Sequence, residues 1–239
     1  VPSRDVDLGF FADPNASNGP HPGVVMIHDV WGLSDHTRDL AARLAGEGFA
    51  VLALDLYRDL PDAKIDDPAR FIRELSDPSV LADIQSAIDF LAVDDATAGR
   101  PVGVTGFCMG GMYALLAACS CTGLSAAVPY YGMLSYEHGM LRPPGDADRT
   151  RKPRQPLDAA PELGCPLLAF FGEEDTFIPN EDVERLRSAL SRAAHPFEIR
   201  TYPGAGHAFM NDTRPEAYRP EAAADAWQRT LAFLGEKLG

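Results

Sequence analysis

Cys108 stands in the run Gly106-Phe107-Cys108-Met109-Gly110-Gly111, which follows the apolar stretch Val102–Thr105 and leads straight into an apolar helical segment. This is G-x-C-x-G between a strand and a helix. In the serine version of the motif the nucleophile sits on a sharp, strained turn, and glycines stand where side chains would strike neighbouring backbone. A cysteine gains twice in that position. The helix N-terminus favours the thiolate, and the amide after the nucleophile points where an oxyanion would form. Two further segments complete the chain order nucleophile, acid, histidine. Gly172-Glu173-Glu174-Asp175-Thr176-Phe177-Ile178-Pro179 follows the apolar run Leu167–Phe171, and Pro203-Gly204-Ala205-Gly206-His207-Ala208-Phe209 follows Phe197–Thr201. His207 alone among the histidines has such a glycine-rich turn before it, and is expected to be the general base. His21, His36, His138 and His195 read as surface residues. Asp175 is expected to orient the imidazole and stabilise its protonated form, with Glu173 and Glu174 as the alternatives. Cys119, Cys121 and Cys165 read as small buried thiols, and the C-x-C pair lacks a second Cys/His pair at zinc-site spacing.

These side chains need a scaffold that brings them to one edge. Short apolar runs alternate with longer segments of helical period, the pattern of βαβ units around a buried parallel sheet. The strands are predicted at Gly23–His28, Ala50–Leu54, Val102–Thr105, Ala126–Pro129, Leu167–Phe171 and Phe197–Thr201. The helices are predicted at Thr37–Glu47, Val80–Ala92, Met109–Cys119, Glu181–Ala193 and Glu221–Lys237, placed on both faces of a mostly parallel twisted sheet. Asp5–Phe11, set off by the turn-rich Asp13–Pro22, is expected to add one antiparallel edge strand. Each triad candidate then lies at the C-terminal end of a strand, where open α/β sheets build their sites. The segment Glu137–Pro161 breaks the rhythm with five prolines and the basic residues Arg149, Arg151, Lys152 and Arg154. It reads as a long surface loop, a lid or an excursion, with its charge solvated.

The 239 residues suit one α/β domain. With 35 acidic against 21 basic residues and a net charge of −14, binding to nucleic-acid phosphates is not expected. No run of about 18 apolar residues suggests a membrane span, and Val1-Pro2-Ser3-Arg4-Asp5 lacks the pattern of a signal peptide. The expectation is a cytoplasmic protein, monomeric or a small homo-oligomer.

With these residues placed, the chain resembles the dienelactone hydrolase family of α/β-hydrolases across nearly its whole length. The resemblance rests on His28-Asp29-Val30-Trp31-Gly32, Leu54-Asp55-Leu56-Tyr57, the Gly106–Gly111 turn, Tyr130-Tyr131-Gly132, Gly172–Pro179 and Gly206–Phe209. It implies a triad on Cys108, His207 and Asp175, and an oxyanion hole from the amides of Met109 and Val30. Asp29 stands where the name-giving enzyme has a glutamate that helps convert thiol to thiolate, and is one methylene shorter. Trp31, Tyr130 and Phe209 match pocket positions. Asn211 replaces an arginine that binds the substrate carboxylate, while Arg70 or Arg73 corresponds to a second family arginine. Neutral esters or lactones are therefore expected to react better than a dienelactone carboxylate, unless another arginine folds over the pocket.

The resulting reading is covalent hydrolysis of a small ester or lactone by Cys108, with no metal or organic cofactor. Cysteine suits an activated ester or enol-lactone better than an amide, because the adduct of an amide expels the thiolate more readily than the amine. The rivals are an acyl transferase or a hydrolase of another activated ester on the same fold, a non-catalytic ligand-binding protein, and a redox thiol protein that lacks a nearby resolving cysteine.

Overall fold

The computed structural model describes residues 1–14, 19–60, 64–145 and 148–239. Part of the turn-rich Asp13–Pro22 (15–18) and of the Pro-rich loop (146–147) lies outside the described residues. The chain begins with β1 (Ser3–Val6), β2 (Gly9–Ala12), β3 (Gly23–Ile27), α1 (Asp35–Gly46) and β4 (Ala50–Leu54). It continues through α2 (Pro68–Glu74), α3 (Asp77–Val93), β5 (Val102–Phe107), α4 (Met109–Ser120) and β6 (Leu124–Tyr130). The last elements are α5 (Pro156–Ala159), β7 (Leu167–Gly172), α6 (Asn180–Leu190), β8 (Phe197–Tyr202) and α7 (Pro220–Leu238).

The strands form one eight-stranded sheet in the order β1-β2-β4-β3-β5-β6-β7-β8. β3 to β8 are parallel, and among the described residues only the β1–β2 hairpin and the β2–β4 pairing are antiparallel. The segment expected as one edge strand is thus two, because Asp7 and Leu8 turn the chain back on itself and β2 pairs with β4. Residues β3, β4, β5 and β7 contribute are buried throughout, which is why their sequences are continuous apolar runs and do not alternate.

Side-chain parity shows that the sheet is covered on both sides. Gly23 and Val102 are register partners, and a Cβ on Gly23 would meet Leu91 of α3. A Cβ on Gly103, one residue on and hence on the other face, would meet Leu234 and Leu238 of α7. α4, whose residues Met109–Cys119 are all buried, packs on β5 and β6 beside α3. Its lack of a polar face follows from burial on every side.

One helix lies in a connecting segment that the sequence did not mark, and one expectation about these segments needs correction. α2 was not marked by periodicity, since seven residues give too short a window; the Asp67 side chain caps it by accepting the Arg70 amide at 3.0 Å. The Pro-rich segment carries α5 and two single 3₁₀ turns, and its charge is not all solvated. Lys152 is buried, with Nζ 2.6 Å from Asp77 Oδ1. Tyr113 and Tyr136 donate their hydroxyls to the same carboxylate at 2.9 and 2.7 Å. Burial pulls the Lys152 ammonium below its usual range, and Asp77 opposes that pull. Breaking a buried pair by removing one partner leaves a buried charge uncompensated. Lys152→Met is therefore expected to lower unfolding free energy by about 3 kcal/mol in urea titration, and Lys152→Met with Asp77→Asn to recover part of the loss.

Candidate active site

The ends of the parallel strands supply every part of the site. β5 delivers Cys108, which has φ 56° and ψ −116° before α4 begins at Met109. A non-glycine residue at positive φ is strained, and the surrounding backbone holds it there. A Cβ on Gly106 would come within 2.2 Å of Gly110 O, and one on Gly110 within 2.2 Å of Ile27 O. The turn thus requires glycine at both flanks so that α4 can abut the end of β3. The other three thiols are inert by contrast. Burial pushes Cys119 and Cys165 up to about 12 and Cys121 up to about 11, so they stay protonated at neutral pH.

Asp175 follows β7 and His207 follows β8. The Asp175 side chain is fully buried, with Oδ1 accepting the amides of Phe177 and Ile178 at 2.8 and 3.3 Å. Its Oδ2 lies 2.8 Å from His207 Nδ1, which therefore donates its proton there. Glu173 and Glu174, the alternative acids, are exposed. Nε2 of His207 is buried without a nitrogen or oxygen partner, and the ring is flanked edgewise by Tyr131 and Phe177 at centroid distances of 5.1 and 4.9 Å. Burial works against an imidazolium here, but the Cys108 charge, the hydrogen bonds that the ring donates to Asp175 and Cys108, and the Asp175 charge outweigh it. Together they raise His207 from 6.5 to about 10.

After β3 the chain turns through His28, Asp29 and Val30. Leu56 N–H donates to His28 Nε2 at 3.1 Å, so the ring proton sits on Nδ1 and is donated to Asp29 O at 2.5 Å. Burial lowers His28 and keeps it neutral. The Tyr57 hydroxyl lies 3.0 Å from Val30 O and 3.3 Å from Met109 Sδ, tying the two segments whose amides were expected to form an oxyanion hole. Among the described residues no acceptor engages the Val30 amide. Asp29 Oδ1 accepts the Trp31 amide at 2.9 Å, so this carboxylate holds the loop as well as facing the pocket.

A small cavity of about 30 Å³ lies over Cys108. Asp29, Trp31, Cys108, His207, Asn211 and Arg214 share its walls with Tyr131 and His36. Several sequence expectations change here. Tyr130 is fully buried and its hydroxyl bonds Thr230 Oγ1 at 2.5 Å, because parity on β6 turns it toward α7. Tyr131, one residue on and at φ 37°, faces the site instead. Phe209 is also fully buried, and supports Tyr131 from behind at a centroid distance of 5.3 Å. His36, read as a surface residue, lines the pocket from the first turn of α1, 3.5 Å from Asp212. Arg70 and Arg73 line a different cavity. Asn211 does border the pocket, but its Oδ1 accepts from the Thr213 amide and hydroxyl at 3.0 and 2.6 Å. Arg214, which carried no sequence signal, supplies a guanidinium on the wall, paired at 3.0 Å with exposed Glu216.

A model of the dienelactone hydrolase family matches residues 8–238. A protein of Salmonella typhimurium strain LT2 named "putative carboxymethylenebutenolidase" is 36% identical over 99% of this chain and 85% of its own length. A Bradyrhizobium protein named "probable 2-oxo-3-(5-oxofuran-2-ylidene)propanoate lactonase" is 31% identical over 95% of this chain and 88% of its own. The crystal structure of a "putative dienelactone hydrolase" from Klebsiella pneumoniae superposes with a TM-score of 0.83 at 35% identity, covering 95% of this chain and 91% of that one. Identity of this level over whole chains, on a sheet with the same layout, leads to one conclusion: this chain is a hydrolase belonging to the dienelactone hydrolase family.

Proposed function

We propose that the protein hydrolyses a small ester or lactone through a covalent thioester on Cys108. The observation that carries this reading is a strained cysteine at the head of α4 beside a histidine whose Nδ1 is held 2.8 Å from a buried aspartate. Cys108 thiolate attacks the carbonyl carbon; the S–C bond forms and the carbonyl electron pair moves onto oxygen, which the amides of Val30 and Met109 stabilise. On collapse the C–O bond breaks, and the leaving oxygen takes the Nε2 proton of His207. Acylation removes the Cys108 charge, the largest of the influences that raise His207. The neutral ring is thus made ready to take a proton from water, whose hydroxide adds to the thioester and expels the thiolate.

For substrate choice, Arg214 alters the expectation drawn from Asn211. It is a cation on the pocket wall, and its link to Glu216 is a surface ion pair of small energetic weight that a ligand can exchange. A lactone bearing a carboxylate can be gripped by the guanidinium fork. The names of the two relatives quoted above support this substrate class. The test is a panel of dienelactone carboxylates and neutral aryl esters on the parent and Arg214→Ala. The variant is expected to lose about tenfold or more in kcat/KM on the carboxylate and little on the neutral ester, the size of one charge-assisted contact. Equal losses on both would remove Arg214 from substrate binding, and absence of turnover on every ester and lactone would overturn the hydrolytic reading.

A further inference from the structure

α1 places His36, Thr37 and Leu40 in the wall of the pocket over Cys108. Leu40 is apolar, and the Thr37 hydroxyl is engaged with Ser34 Oγ at 3.3 Å, so His36 is the α1 side chain with polar atoms to offer. Its Nδ1 is buried and faces Asp212 Oδ1 at 3.5 Å, while Arg43 holds that carboxylate at 2.8 Å. The ring proton therefore sits on Nδ1, because the other tautomer would press a buried lone pair against a carboxylate oxygen. Nε2 keeps the lone pair; it is open, and has no hydrogen-bond partner among the described residues. Burial lowers His36 below its ordinary value and, with the Arg43 charge, outweighs the charges of Asp212, Asp29 and Asp39. The ring is thus a neutral acceptor at neutral pH.

The pocket volume of about 30 Å³ is room for about two water molecules. Hydrolysis of a thioester needs one of them held in a set orientation. The attacking water must aim a lone pair at the carbonyl carbon, with both of its O–H bonds directed at acceptors. We propose that His36 holds the deacylating water, its Nε2 accepting a hydrogen bond from the molecule that His207 deprotonates. The inference rests on the proposed thioester at Cys108. The water oxygen bonds to the thioester carbon, one proton passes to His207 Nε2, and the adduct expels Cys108 as thiolate. The other proton stays on that oxygen, held by His36, and leaves with the acid. Other wall groups suit the task less well. Trp31 and Arg214 offer only donors, and Asn211 Oδ1 already accepts twice from Thr213. Asp29 is a competing acceptor, but a carboxylate beside the attacking water would repel the oxyanion that forms on the same carbon.

The probe is p-nitrophenyl acetate, mixed with the full chain in stopped flow. With so activated an ester, the fast release of nitrophenolate reads acylation and the steady phase reads deacylation. His36→Phe removes the acceptor at nearly constant shape. It is expected to leave the fast phase within about twofold, and to slow the steady phase about tenfold or more. Acetyl should then accumulate on Cys108 by mass spectrometry. His36→Gln, whose amide oxygen offers an acceptor at similar reach, should recover part of the loss. Hydroxylamine, a stronger nucleophile than water, should restore turnover in His36→Phe. His36→Leu repeats the test with a smaller side chain, and thermal melting checks that each variant is folded. An unchanged steady phase in His36→Phe and His36→Leu, equal slowing of both phases, or a slowed steady phase in Asp29→Asn in their place would each overturn the proposal. A parent that forms no acetyl-thioester on Cys108 would overturn the covalent mechanism too, which separates the two failures.

Discussion

Cys108→Ala is expected to abolish ester and lactone turnover, by about four orders of magnitude or more, while the protein folds as before. The loss is of the atom that forms the covalent bond, and what remains over water is the contribution of binding and of the oxyanion donors. The fold should survive, because a thiol is small and alanine shares the strained conformation, and the stability change should be confined to the part of the His207 contribution that the Cys108 charge supplies. Iodoacetamide should inactivate the parent with one equivalent on Cys108, while Cys119, Cys121 and Cys165, held protonated by burial, react far more slowly. Mass spectrometry of the digested protein reads this directly. Retained turnover in the alanine variant, or inactivation tracking another cysteine, would dismiss Cys108 as the nucleophile.

His207→Ala and Asp175→Asn should each lower kcat strongly, the first by about four orders of magnitude and the second by less, since histidine moves the proton and aspartate orients the ring. The double variant should be little worse than His207→Ala alone. Losses that multiply would mean that the two residues do not act as one unit. The geometry also ties stability to pH. The folded value of His207, about 10, lies above its unfolded value near 6.5. Its contribution is therefore complete below about pH 6.5 and is lost as pH rises through about 10. Asp175→Asn removes the Asp175 charge and weakens the hydrogen bond that raises His207. The gap in unfolding free energy between parent and variant should thus be widest near pH 6 and narrow toward pH 10. A gap that widens with pH would contradict the sign.

The sequence by itself determined the parallel part of the sheet and the strand ends that carry Cys108, Asp175 and His207. Buried parallel strands are apolar on both faces, so β3 to β7 read as continuous runs whatever their neighbours. The turn at Cys108 is partly local, because Gly106 is required by a backbone distance of 2.2 Å to Gly110 within one strand–turn–helix unit, whereas Gly110 is required by its approach to Ile27 at the end of β3. Asp175 and His207 follow their strands closely enough that chain order located them.

Only the tertiary structure decided what each remaining side chain faces. Tyr130 and Tyr131 are chemically alike, and the choice between them turns on strand parity and on one positive φ, neither of which the dipeptide discloses. His36 and Arg214 reach the pocket from α1 and from the turn after His207, through packing between segments far apart in sequence. Lys152 lies in a segment whose charge suggested solvation, yet it is buried because Asp77 at the head of α3 and the hydroxyls of Tyr113 and Tyr136 converge on one point. Such convergence is a property of three-dimensional distance. Composition and period record which faces are apolar, but not which polar groups meet across them.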